Sequence, residues 1–123
     1  MRGLEALTAS LPPIPTESIL RRPGNENLAT LGKVLSGHGY HTSFLYGGYG
    51  YFDNMNAFFA ANGYEVLDRN QLMREPRFEN IWGVADEDLF DMALEHADGL
   101  TQQRKPFFLH IMTTSNHKPF TFR

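Results

Sequence analysis

The feature that most constrains this chain is a nearly continuous apolar run, Phe107-Phe108-Leu109-His110-Ile111-Met112, entered through Pro106. It has the length of a strand and lacks the alternation of a strand with one wet face. It is therefore expected to be a parallel strand covered on both sides. Such a strand needs neighbours, and Thr42–Tyr46 and Tyr64–Leu67 read as short ones. Before the first of these, Leu28, Leu31, Val34 and Leu35 recur at helical spacing, with Asn25 or Asn27 as cap and Gly37 or Gly39 as stop. A second helix is expected around Met55, Phe58 and Phe59, with Asp53 as its cap and Asn62-Gly63 closing it. A third begins at Asp86-Glu87-Asp88, whose charges suit the positive end of the helix dipole, and carries Leu89, Ala93, His96, Ala97 and Leu100 on one stripe. Residues 68–84 read mostly as loop. This helix–strand–helix–helix–strand order points to an α/β layer with a few parallel strands flanked by helices.

Residues 1–24 differ from the rest. They hold Pro12, Pro13, Pro15 and Pro23, four of the seven prolines, and show little periodicity. An irregular extended arm is expected there, leaving 25–123 as the α/β portion. Two or three short strands are marginal support for a buried run. Residues 1–123 are therefore expected to be an internal fragment of a larger domain.

Composition narrows the function classes. At 41% hydrophobic and 20% charged residues the chain is of globular type. Its formal net charge is −3, and the one dense basic spot, Arg21-Arg22, is too small for a nucleic-acid surface. The absence of cysteine excludes disulfides and thiolate metal sites. The opening Met-Arg-Gly-Leu-Glu has no apolar core of a signal peptide. No segment approaches the roughly 20 apolar residues that span a bilayer. Neither a signal peptide nor membrane insertion by this chain is expected.

Two segments are placed where chemistry could occur. Gly47-Gly48-Tyr49-Gly50 lies between a strand and a helix, where backbone N–H groups can receive an anion. It fails the dinucleotide fingerprint, because Asp53 stands at the third glycine position, and it lacks the Gly-Lys-Ser/Thr of a phosphate loop. A tight turn needing glycine for backbone reasons and a phosphate- or polyol-facing edge both remain open. Thr113–Phe120 follows the apolar run, and ligands of open α/β sheets bind beyond the carboxyl ends of strands. His117 there is either a donor to a phosphate oxygen or acid to a leaving group, or a loop histidine fixed by a turn before Pro119. His38, His41, His96 and His110 match no zinc signature and read as structural. No Gly-x-Ser-x-Gly elbow is present.

Four ordered strings carry a family resemblance: Arg2-Gly3-Leu4-Glu5-Ala6, Phe44–Phe59 with its Tyr46-Gly47-Gly48-Tyr49-Gly50-Tyr51-Phe52-Asp53-Asn54 centre, Trp82–Phe90, and Thr114–Phe120. Together they resemble the lipoteichoic acid synthase-type phosphoglycerol transferases of the sulfatase superfamily, over essentially the whole chain. The resemblance implies a partial alkaline phosphatase-like α/β domain. It implies an enzyme that moves glycerol phosphate from a phospholipid headgroup, phosphatidylglycerol, to a glycan or glycolipid acceptor. A threonine nucleophile and a divalent metal, manganese, do this in the family. The family enzyme is membrane-anchored, with its catalytic domain outside the cytoplasmic membrane, in the periplasm. By the same resemblance the nucleophile and metal ligands fall outside this chain, so no catalytic residue and no metal ligand carries over. The chain alone is then expected to be inactive and to hold no cofactor.

Four substrate-contacting positions do carry over. His117 matches the family's substrate histidine. Tyr46 stands where the Gram-positive enzymes have a headgroup-contacting histidine. Their tryptophan and arginine fall on Asp53 and Met55, with Asn54 retained between. Without that arginine a bidentate phosphate contact is missing. Two other readings are a sulfuric ester or phosphodiester hydrolase of the same superfamily and a non-catalytic α/β binding module. Ala85 stands where a serine cap would suit the third helix; a Ser or Thr there would typically add ~1 kcal/mol, unless Asp86 takes the capping role.

Overall fold

A computed structural model describes residues 2–12, 14–118 and 120–121; Pro119 of the histidine loop lies outside them. The order is α1 (Arg2–Ala9), α2 (Leu31–Gly37), β1 (His41–Tyr46), α3 (Met55–Ala61), β2 (Glu65–Leu67), β3 (Glu79–Asn80), β4 (Gly83–Val84), α4 (Asp86–Gln102) and β5 (Phe107–Met112). Among the described residues, β2, β1 and β5 form a parallel sheet in that order, and β3 and β4 a short antiparallel pair. The α/β class is as the sequence implied.

Side chains of β1 alternate between two apolar clusters, as the period of a strand requires. Phe44 and Tyr46 point to one face, with Met55, Phe58 and Phe59 of α3, Tyr64, Leu20 and Leu4. Leu45 points to the other, with Val84 and with Leu89, Met92 and Ala93 of α4. The aromatic side is tightly layered: the Phe44 and Phe59 rings stack at 3.6 Å, and His110 meets both edge-on. Burial holds the His110 imidazole below its ordinary pKa.

Several expectations need correction. The central, fully covered strand is β1, not β5. Among the described residues β5 pairs with β1 alone, and its residues are half-exposed or, at Phe107, exposed. Its apolar composition reflects two partly packed faces: Phe108 and Met112 lie against one apolar cluster, Leu109 and Ile111 against the other. The expected irregular arm contains α1 and a 3-10 turn at Ile19–Arg21. Prolines act only from position 12 onward, so they leave α1 free to bury Leu4, Glu5 and Thr8 along one face. The Glu5 carboxylate accepts the Ile19 N–H at 2.9 Å and anchors the arm.

Thr30, not Asn25 or Asn27, caps α2. Those asparagines lie too early: the chain turns at 26–27, with Asn27 left-handed at φ 63°, and is tied to a hub at Asn62 before the helix starts. Fully buried, Asn62 accepts from Leu28 N–H and donates to the Asn25 and Phe58 carbonyls, while its own carbonyl accepts from the Thr30 hydroxyl. Asp53 does not cap α3. Asp53 and Asn54 are both left-handed, with φ of 54° and 62°, and Asn54 is the capping-position residue with no side-chain bond to the helix.

Candidate functional site

Three segments meet beyond the C-terminal ends of β1 and β5: the glycine turn after Tyr46, the β3–β4 pair, and the 113–118 loop. Val84 N–H donates to the Gly47 carbonyl at 2.9 Å, Arg69 N–H to the Gly48 carbonyl at 3.0 Å, and Thr114 Oγ1 to the Val84 carbonyl at 2.8 Å. This crossing of backbones explains two of the glycines. Gly83 has φ of 147°, and a Cβ there would lie 2.2 Å from the Gly47 carbonyl oxygen. A Cβ at Gly48 would lie 2.4 Å from the Trp82 carbonyl oxygen and 2.7 Å from the Tyr46 ring. The Gly50 N–H is taken by a carboxylate of the chain itself, Asp68, at 2.8 Å. Burial pushes the Asp68 carboxyl up, but bonds from Asn56, Asn70 and Gly50 outweigh it and hold the group below its ordinary value. Of the two readings left open for this turn, the geometry supports the backbone one.

The 113–118 loop is tied to the start of α4 by reciprocal capping. Asp86 Oδ1 accepts from Thr114 N–H and Ser115 N–H, and Ser115 Oγ accepts from Asp86 N–H at 3.0 Å. Ala85 offers no side-chain cap, so the helix takes one from a loop 29 residues away. Beyond this clasp, the Lys118 carbonyl accepts from Trp82 Nε1 at 2.6 Å and from His117 Nδ1 at 2.9 Å. A carbonyl only accepts, so Nδ1 carries the hydrogen. In the neutral ring, Nε2 is then the acceptor left for a substrate. The His117 ring packs on Trp82 at 4.0 Å between centroids, and Phe52 meets the same indole edge-on at 6.3 Å.

Tyr46 lies at the base of this aromatic group. It is 5% exposed, and burial pushes its phenol pKa up, so the hydroxyl stays protonated at neutral pH. With Tyr49, Tyr51, Phe52, Ile81 and Trp82 it lines a cleft of about 80 Å³. Tyr51 and Phe52 also border an open concavity of about 810 Å³ lined by Asp53, Asn54 and Arg21. The structure thus places Tyr46 in a cleft with Trp82, His117 packed on that indole, and Asp53 and Asn54 in the adjoining concavity. Asn54 Nδ2 donates to the Leu20 carbonyl at 2.7 Å, which fixes its side chain.

Sequence reasoning missed two members of this site. Trp82 opens the Trp82–Phe90 string, and its signal is that it is the single tryptophan, beside a glycine. Arg21 read only as a small basic spot. Its guanidinium lies 3.8 Å from Asp53 Oδ1, so the arm brings a cation to the concavity. Met55, matching the family arginine, is fully buried in the core and cannot serve there.

The residues around this pocket do not fit the divalent metal that the resemblance implies. Among the described residues, the one His/Asp/Glu grouping close enough to hold an ion lies at the other end of the sheet.

The sulfatase family model matches residues 1–123. The chain belongs to the sulfatase family. Within it, this chain is 31% identical over 111 residues to a lipoteichoic acid synthase of Staphylococcus saprophyticus, covering 88% of this chain and 17% of that protein. It is 26% identical over 96 residues to phosphoglycerol transferase I of Escherichia coli, covering 75% of this chain and 13% of the other. Among solved structures, an alkaline phosphatase superfamily protein of Vibrio parahaemolyticus superposes with a TM-score of 0.90 at 37% identity, over 98% of this chain and 30% of that one. A lipoteichoic acid synthase of Listeria monocytogenes shares the fold, with a TM-score of 0.87 at 19% identity, over 97% and 29%. The chain therefore spans less than a third of the length of each of these relatives. No helix among its described residues is long and apolar enough to cross a membrane.

Proposed function

We propose that this sulfatase-family chain forms one wall of the substrate pocket of a phosphoglycerol transferase. The substrate is a glycerol phosphate headgroup, donated by phosphatidylglycerol to a glycan or glycolipid acceptor. The observation that carries this reading is the His117–Trp82 pair, held by one carbonyl beyond the end of β5, with Nε2 left to accept from a glycerol hydroxyl or, in the protonated ring, to donate to a phosphate oxygen. Arg21 supports it by offering a guanidinium where the family arginine position is occupied by Met55. The exposed aromatic side chains, Tyr51 at 77% among them, suit stacking on a sugar or glycerol backbone. Nucleophile and metal ligands, with manganese as the ion, would come from other parts of a sulfatase domain. Such a protein would be membrane-anchored with this domain on the extracytoplasmic side.

Trp82 is the single tryptophan, so its fluorescence reports on the pocket directly. Titration with glycerol 1-phosphate should quench or shift it saturably, and His117→Ala should abolish the response. Arg21→Ala should weaken it about tenfold, the loss expected for one charged hydrogen bond. A response to sulfate equal to that for glycerol phosphate would favour a sulfuric ester hydrolase instead. With manganese and phosphatidylglycerol, the chain alone should release no glycerol phosphate. Release would show that the nucleophile and metal ligands are present after all.

A further inference from the structure

At the N-terminal end of the sheet, three side chains from three rigid elements converge. His41 is the first residue of β1, Glu65 the first of β2, and His96 projects from α4. Glu65 Oε2 lies 2.5 Å from His41 Nε2 and 3.6 Å from His96 Nε2, and the three candidate ligand atoms are all within 4.8 Å of one another. The two imidazole rings are 5.8 Å apart and tilted, so both distal nitrogens address one carboxylate oxygen. We infer that His41, Glu65 and His96 form a binding site for a divalent transition-metal ion of the zinc type.

The donor chemistry selects the ion. Two imidazoles and one carboxylate suit zinc, cobalt or nickel, whereas magnesium and calcium prefer all-oxygen shells. Three protein ligands leave a coordination position open to water. The adjacent pocket of about 380 Å³, which Gln71, Glu95 and Gln103 help to line, leaves room for it. Ser43 Oγ lies 2.8 Å from His96 Nε2, the nitrogen that faces Glu65, so an ion bound there would displace this contact. All three ligands sit on regular elements rather than loops, the arrangement that holds a site most accurately. An ion here would pin β1, β2 and α4 together.

Calorimetric titration of the chain with zinc alone should show one site per chain. His41→Gln and His96→Gln should each weaken it more than about tenfold, and Glu65→Gln comparably. His38→Gln, an exposed histidine outside the cluster, should leave it unchanged. Zinc at roughly a hundredfold excess over Kd should raise Tm by on the order of 10 °C. Magnesium and calcium should give no response. X-ray absorption on the zinc-loaded parent should show two imidazole nitrogens and a carboxylate oxygen at about 2.0–2.2 Å. That measurement decides the matter if His96→Gln fails to fold. Binding that survives His41→Gln and Glu65→Gln, several weak sites of equal affinity, or a shell without imidazole would each overturn the assignment.

Discussion

At the C-terminal end of the sheet, His117 sits on a loop and is held by a main-chain carbonyl and an indole face. At the N-terminal end, His41 and His96 are held by a strand and a helix, with a carboxylate between them. The first arrangement leaves the ring exposed, beside an aromatic cleft and an open concavity. It suits a substrate of varied shape. The second arrangement is rigid, and its ligand atoms lie where an ion of fixed radius could meet them. The same residue type therefore serves two chemistries, according to whether a loop or a register positions it.

That contrast can be broken at either end. The largest effect is expected at Gly83. Gly83→Ala puts a Cβ against the Gly47 carbonyl and keeps a backbone conformation that L residues avoid. It should cost about 3 kcal/mol or more in urea unfolding and disorder the His117 end first. Asn62→Ala attacks the other end, where the hub ties residues 25–30 to the entry into β2. It leaves the Leu28 N–H and Asn25 carbonyl without their partner, and a loss of about 2–3 kcal/mol is expected. Ser115→Ala removes the borrowed cap of α4 and should cost about 1 kcal/mol, with weaker glycerol phosphate binding as the loop loosens.

The smallest effect lies between the two ends, at His110. The titratable side chain packed against it is Tyr64, which stays protonated in this range; Phe44 and Phe59 are its other ring neighbours. Its folded pKa is depressed by burial, while the unfolded chain takes up the proton near pH 6.5. Stability is therefore full above that value and declines as pH falls toward the folded pKa. His110→Phe should flatten the stability profile between pH 7 and 5, measured by urea titration at each pH.

Much of the fold was legible locally. Met55, Phe58 and Phe59 announced α3, and the acidic start with its apolar stripe announced α4, because helical period is written in adjacent turns. Strand β1 was visible, but its central place was not. Phe107–Met112 is richer in apolar side chains, yet β1 is the strand with partners on both sides. Strand order depends on how crossovers pack, which no local window contains. The cap of α4 was illegible for the same reason, since Ser115 reaches it from the end of another element.

By itself the sequence determined the α/β class, the helix faces, the four ordered strings that resemble the sulfatase superfamily, and His117 as a candidate placed after a strand. Each depends on residues near one another in the chain or on a pattern read along it. Only the tertiary structure decided that Trp82 carries His117, that Arg21 reaches Asp53, that Met55 is core, and that His41, Glu65 and His96 meet. Those partners are tens of residues apart in three of the four cases, and Met55 differs from an exposed neighbour only by the face it turns inward. Contacts of this kind arise when the parallel register and the crossover helices bring distant positions to the same end of the sheet.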